Sequence, residues 1–149
     1  MLYGRLRRFA GVVRPWTMEA DDLVQEALAR TLASRRLSEL EWPEAYLRRA
    51  ILRVALNEQR GRRRFLSRLS RLGSSSNVVA DEYPSDLRDL TALSPRVRAV
   101  LYLHVVEDLS YDDVASTLGC RPEAARKAGS RGLGVLRAAL VAEEGEFDE

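Results

Sequence analysis

The sequence predicts an all-α protein of two small helical domains joined by a flexible linker, the second of them a helix-turn-helix. Three observations carry this. Apolar residues recur at helical spacing along most of the 149 residues. No segment alternates apolar and polar residues over the length of a strand. A serine- and acid-rich stretch without sustained period separates two periodic blocks. With 46% apolar residues the chain has enough to bury real cores.

The front domain is assigned to 1–66. Its first helix is expected from Leu2 to Val13. A second follows Thr17 as N-cap, with Glu19, Asp21 and Asp22 near the positive end of the helix dipole and Leu23, Val24, Ala27, Leu28 and Thr31 as the buried stripe. After the connection SRRLSELEW, Pro43 takes the first position of a third helix. There Leu47, Ala50, Ile51 and Val54 repeat at the i, i+3, i+4, i+7 spacing of a core face.

The linker is placed at 67–89, where SRLGSSSNVVADEYPSDLRD shows no period. In the rear domain, 90–141, Ser94 and Pro95 cap and open a helix whose Val97, Val100, Leu101 and Val105 face inward. Ser110 to Asp113 is a Ser-x-x-Asp capping box that opens the next helix, which ends at Gly119. The acidic tail 142–149, AEEGEFDE, is expected to fray.

A net charge of +2 conceals a strong asymmetry. Residues 1–71 carry sixteen arginines against eight acids, or +8, and residues 72–149 carry eight basic residues against fourteen acids, or −6. The front half therefore has the balance of a polyanion binder. One cysteine, Cys120, excludes an internal disulfide and a multi-cysteine zinc site. The single histidine, His104, has no second ligand in view and reads as structural. With no phosphate-cradling glycine loop and no nucleophile motif, no enzyme, cofactor or metal is expected. No run approaches the roughly 18 apolar residues of a membrane span, and arginines break the apolar start MLYGRLRRFAGVVRPW. A cytoplasmic protein without membrane insertion is expected.

From Tyr111 the spacing of Ala115, Gly119 and Ala125 matches a helix-turn-helix. It supplies a small residue where two helices cross, a glycine able to take positive φ in the turn, and an inward residue on the second helix. That second helix begins near Pro122 and presents Arg121, Glu123, Arg126, Lys127, Ser130 and Arg131 outward, where they can meet phosphates or guanine edges. Gly129, Gly132 and Gly134 each cost about 1 kcal/mol relative to alanine in a helix interior, which marks this helix as the weakest part of the chain.

In the front half, Trp42, Tyr46, Arg49, Arg53 and Arg60 fall at offsets 0, 4, 7, 11 and 18. At about 100° per residue they share one sector of the third helix. Aromatic faces that stack on bases, beside guanidinium groups that hold phosphates, make a platform for single-stranded nucleic acid. Arg62 and Arg63, with Arg60 and Arg64, extend it towards duplex phosphates.

This order of parts resembles a bacterial extracytoplasmic-function sigma factor over nearly the whole chain. DLVQEALART resembles the family's Asp-Leu-x-Gln-Glu signature, WPEAYLRRAILRVALNEQRGRRR its promoter-melting helix, and LSPRVRAVLYLHVVEDLSYDDVASTLGC its rear domain. The resemblance implies a promoter-specificity subunit that binds core RNA polymerase, through the β′ clamp helices and the β flap, and promoter DNA. It implies that Asp22, Leu23, Gln25 and Glu26 dock the clamp helices, and that Trp42, Tyr46, Arg49 and Arg53 face the minus-ten element. It also implies that Arg121, Arg126, Lys127 and Arg131 address the minus-thirty-five element. Where the family's recognition helix begins Thr-Val-Lys-Ser-Arg, this chain has Ala124, Ala125, Arg126, Lys127 and Ala128. An anti-sigma factor or other partner protein that buttresses this helix is a further expected contact. Two other classes fit the same residues: a helix-turn-helix regulator that binds duplex DNA without polymerase, and a divergent sigma-like interaction subunit.

Overall fold

The computed structural model describes residues 1–72 and 93–147, with side chains through residue 145. The linker reading for 73–89 and the last two residues of the tail lie outside the described residues.

The front unit is built from α1 (Leu2–Val13), α2 (Ala20–Ser34) and α3 (Pro43–Arg71), with a short 3₁₀ turn at Leu37–Glu39. On α1, Leu6, Phe9, Ala10 and Val13 are buried at helical spacing. They meet Leu23, Val24 and Ala27 of α2 and Leu47, Ile51, Val54 and Ala55 of α3 in one core. Thr17 does not cap α2. The N-cap is Glu19, in extended backbone and without a side-chain cap bond, because the bond from the Met18 N–H to the Pro15 carbonyl closes a turn just before it. Pro43 opens α3 as the sequence predicts. That helix runs to Arg71, four residues past the position where the sequence places the linker's start, because Leu66 and Leu69 continue an apolar side against Trp16.

The α1–α2 contact is pinned by Asp21, which accepts from the Tyr3 hydroxyl at 2.9 Å and from Arg7 Nε at 3.0 Å. The Tyr3 bond first, then Arg7, holds the Asp21 carboxyl below its ordinary value. The same bond to Asp21 raises the Tyr3 phenol. A depressed carboxylate adds stability above its unfolded pKa of about 3.9, and that stability is lost as the pH falls through the lower folded value. In thermal melts, Tyr3→Phe is therefore expected to lower stability at neutral pH, with the difference from the parent shrinking as Asp21 protonates.

The rear unit comprises α4 (Pro95–Leu101), which passes directly into a π-helical turn at Tyr102–Val106, then α5 (Tyr111–Leu118) and α6 (Pro122–Phe147). The hydroxyl of Ser94 accepts from the Val97 N–H at 3.3 Å and that of Ser110 from the Asp113 N–H at 3.1 Å, so both predicted caps form. The π turn overturns one expectation. Val105 is 58% exposed rather than inward, and Leu103 is fully buried in its place. The Glu107 N–H reaches back five residues to the Tyr102 carbonyl, and the wider turn rotates the following side chains relative to an α-helix. His104 stacks on Tyr111 with ring centroids 3.9 Å apart and pairs Nδ1 with the Leu109 carbonyl at 2.7 Å, which is a structural position.

The helix-turn-helix register is as predicted. Ala115 and Ala125 are buried where α5 and α6 cross, and Gly119 caps α5 in the left-handed region at φ 71°. The helix does not fray at residue 142 but continues through Phe147, in a segment rich in alanine and glutamate, both good helix formers. Two of its glycines contradict the reading of this helix as weak. A Cβ at Gly129 would stand 2.4 Å from the Tyr111 hydroxyl, and one at Gly132 would stand 2.7 Å from Leu101 Cδ1. These glycines are where α6 lies flush on α5 and α4. Only Gly134 of the three has open space beside it.

The two units are not separate bodies. Phe9 of α1 meets the Tyr102 ring edge-on at a centroid distance of 6.1 Å. The buried cluster runs without a break from α1 and α3 into Val100, Leu103 and Leu118 of the rear unit.

Candidate polymerase and nucleic-acid interfaces

The first predicted surface lies on α2. Asp22 and Gln25 are exposed and Glu26 is half-buried, and with Asn57 and Glu58 of α3 they border one polar groove. Glu26 accepts from Arg30 Nε at 2.7 Å, one turn along. Leu23 does not belong to this surface. It is fully buried in the core of the front unit, because its position in the α2 stripe points it at α1 and α3 while its neighbours point out.

The second surface lies on α3. Trp42 is 72% exposed at the N-cap of the helix. It lines, with Tyr46 and Arg49, a cleft of about 640 Å³ whose far wall is Leu109, Asp113, Ser116 and Thr117 of the rear unit. Arg35 sits 5.7 Å from the Tyr46 ring centroid, a cation–π contact that steadies the ring. One turn further, Arg53 and Arg60 line an adjoining cleft with Arg49, Asn57 and Arg96. The structure thus brings together Trp42, Tyr46, Arg49, Arg53 and Arg60. Arg63 is exposed beyond them. Arg62 is turned elsewhere, with its guanidinium 4.7 Å from the Trp16 ring centroid.

The third surface is the outer face of α6. Arg121, Glu123, Arg126, Lys127, Ser130 and Arg131 are all exposed, opposite buried Ala125. Arg126 reaches Asp112 of α5 at 3.3 Å. Both partners are largely in solvent, so the pair holds little energy and leaves Arg126 able to move to a phosphate.

Sequence reasoning missed Arg48 and Glu107. Arg48 is only 4% exposed. It sits one residue past Leu47 and three before Ile51, so the periodicity that marks the core also marks it as inward. A charge there demanded a partner. The pairing with Glu107, 59 residues away, has no local signal. Among the described residues no cluster of His, Cys, Asp and Glu could hold a metal ion, and no helix is long and apolar enough to cross a membrane.

An aromatic and basic helix joined to a helix-turn-helix with an open, basic second helix defines a helical DNA-binding protein of two parts. Residues 1–65 match the family described as Sigma-70 region 2, and residues 90–136 match Sigma-70, region 4. The chain is similar to the RNA polymerase sigma-E factor of Streptomyces coelicolor, at 31% identity over 144 residues that cover 93% of this chain and 81% of that protein. It is also similar to the sigma factor RpoE of Bartonella quintana, solved in complex with the anti-sigma factor NepR. There the TM-score is 0.59 and the identity 25%, over 93% of this chain and 91% of the other. The chain belongs to the sigma-70 family, among the extracytoplasmic-function sigma factors: it is an RNA polymerase sigma factor, which binds core polymerase and promoter DNA to start transcription. Sigma factors are in general cytoplasmic and are not enzymes.

Proposed function

We propose that the labour is divided by unit. The front unit, 1–66, docks core polymerase through Asp22, Gln25 and Glu26 and captures the melted minus-ten strand on Trp42, Tyr46, Arg49, Arg53, Arg60 and Arg63. The rear unit, 90–141, reads the minus-thirty-five element with Arg121, Glu123, Arg126, Lys127, Ser130 and Arg131. The segment that follows α3, up to residue 89, links the two. The observation that carries this reading is the exposed Trp42 indole standing beside Tyr46 and Arg49 on one side of α3. A large aromatic left in water on a basic helix supplies a stacking surface that a flipped base can use. The protein has no catalytic step of its own and acts in the cytoplasm. A partner protein on the rear unit is a further part of the reading, supported by the complex in which the Bartonella relative was solved.

In vitro transcription with purified core polymerase tests the division. Trp42→Ala and Tyr46→Ala are expected to spare polymerase binding and to reduce open-complex formation about tenfold each, as loss of a stacked base costs about 1–3 kcal/mol. Gln25→Ala with Glu26→Ala is expected to weaken polymerase affinity instead. The Glu26–Arg30 pair is exposed, so its loss does not unfold α2. Equal loss of both activities in either set would mean that the residues act on folding alone.

A further inference from the structure

Arg49, Arg53 and Arg60 of α3 and Arg96 of α4 line one cleft of about 340 Å³. Its lining holds no carboxylate and no aromatic ring, and the nearly buried Leu52 and Leu118 supply an apolar part of it. Neighbouring Arg48 shows what these four lack: its guanidinium donates to both carboxylate oxygens of Glu107, at 2.7 and 2.6 Å. Among the described residues Arg49, Arg53, Arg60 and Arg96 form no ion pair. Arg49 donates to the carbonyls of Ser116 and Thr117, the latter at 2.7 Å. It thereby covers the negative end of α5, which would otherwise repel an anion.

Guanidinium groups gathered beside apolar side chains repel one another more strongly than in open water. The packing of α4 adds Arg96 to the three arginines of α3, so the fold increases this repulsion, and a bound anion would relieve it. The spread of the arginines says which kind of anion. At 1.5 Å per residue Arg49 and Arg60 lie about 16 Å apart along α3, more than a single phosphate group spans. A chain of phosphates can meet several guanidinium forks at once, each matched to a pair of its oxygens. We propose that this cleft is a binding site for a short polyphosphate chain, free or carried by a nucleotide, held jointly by α3 and by Arg96 of the rear unit. The site stands apart from the minus-ten reading: Arg96 belongs to none of the surfaces assigned above, and no DNA strand is needed to fill the cleft.

Calorimetric titration of the full chain with sodium tripolyphosphate, at an ionic strength held constant with sodium chloride, tests this. One saturable site per chain is expected, with a melting temperature that rises with ligand, as binding to the folded state requires. Arg53→Ala, Arg60→Ala and Arg96→Ala are each expected to weaken binding about tenfold, as loss of a charge-assisted hydrogen bond does. All three side chains are exposed, so their removal leaves the core intact. Arg8→Ala takes the same charge from an exposed position on α1, outside the cleft. Its affinity is expected to stay within about twofold of the parent, since exposed distant charges are screened. Equal weakening by Arg8→Ala and Arg96→Ala overturns the site, because net charge alone would then hold the anion. Unchanged affinity in the Arg96→Ala chain overturns the joint site. Orthophosphate is expected to bind at least about tenfold more weakly than tripolyphosphate, because it meets fewer forks; equal affinity overturns the polyphosphate reading. Adenosine triphosphate is expected within about threefold of tripolyphosphate, since nothing in the lining can stack a base. Binding of the nucleotide more than about tenfold tighter overturns a site that reads the phosphate chain alone. Trp42 does not line the cleft, so the Trp42→Ala chain should titrate as the parent does, which keeps this test separate from that of the minus-ten surface.

Discussion

Replacing Phe9 by alanine is expected to destabilise the protein by about 3–5 kcal/mol, the range for removing a buried phenylalanine. The ring is fully buried, and its place in the architecture raises the loss towards the top of that range. It belongs to the core of the front unit, meets Tyr102 of the rear unit edge-on, and lies under the Arg48 guanidinium. A cavity at this point removes an aromatic pair across the two units and uncovers a buried ion pair. Both units should therefore lose stability together, in one transition, and urea denaturation followed by circular dichroism measures it. Phe65, on the distal part of α3 and 60% exposed, provides the contrast. Phe65→Ala is expected to stay within about 0.5 kcal/mol of the parent, as surface changes do. A loss at Phe9 no greater than that at Phe65 would mean that the two units do not share a core.

Much of this architecture was legible in the residues. The boundaries of α1, the Pro43 start of α3 and the two serine caps follow from local chemistry, in which each signal and its partner lie within one turn. The helix-turn-helix was legible for the same reason: Ala115, Gly119 and Ala125 are answers to steric demands ten residues apart. The failures share a different physics. Leu23 was assigned to a partner surface because its motif was read as a block, although α2 must bury one residue of that block to pack at all. Val105 was placed inward by an α-helical period, and the π turn breaks the period without leaving a proline or glycine as a mark. Arg48 and Glu107 were passed over because a buried charge is justified only by a partner that the fold brings from far along the chain.

The two units that the sequence separates share one core in the molecule. Composition separates a basic front half from an acidic rear half, but most of the acidic excess lies in 81–89 and the last residues, so what draws the packed helices together is local. Glu107 and the carbonyl end of α5 present negative potential to Arg48 and Arg49.

Gly129→Ala combined with Gly132→Ala is expected to destabilise by up to about 4 kcal/mol, the opposite of what helix propensity forecasts. In an exposed helix interior each change would stabilise by about 1 kcal/mol. Here the new methyl at residue 129 would lie 2.4 Å from the Tyr111 hydroxyl, and 2.7 and 2.9 Å from ring carbons of the same side chain. Tyr111 cannot swing aside freely, since His104 is stacked on it at 3.9 Å. The methyl at residue 132 would lie 2.7 Å from Leu101 and 2.8 Å from Val97; Leu101 is buried, and Val97 is stiff at χ1. Overpacking of this kind costs about 1–3 kcal/mol per site; contacts this short belong to the upper part of that range, above the propensity gain, and relief requires α6 to lift from α4 and α5. The lift would tilt the proposed recognition face against its scaffold, so duplex binding should weaken along with thermal stability. Gly134, with nothing within 4 Å of its Cβ position, separates the two effects on the same helix. Gly134→Ala should raise the melting temperature, and if the Gly129 and Gly132 changes raise it too, the close approach of α6 to Tyr111 and Leu101 is not what holds the helix-turn-helix together.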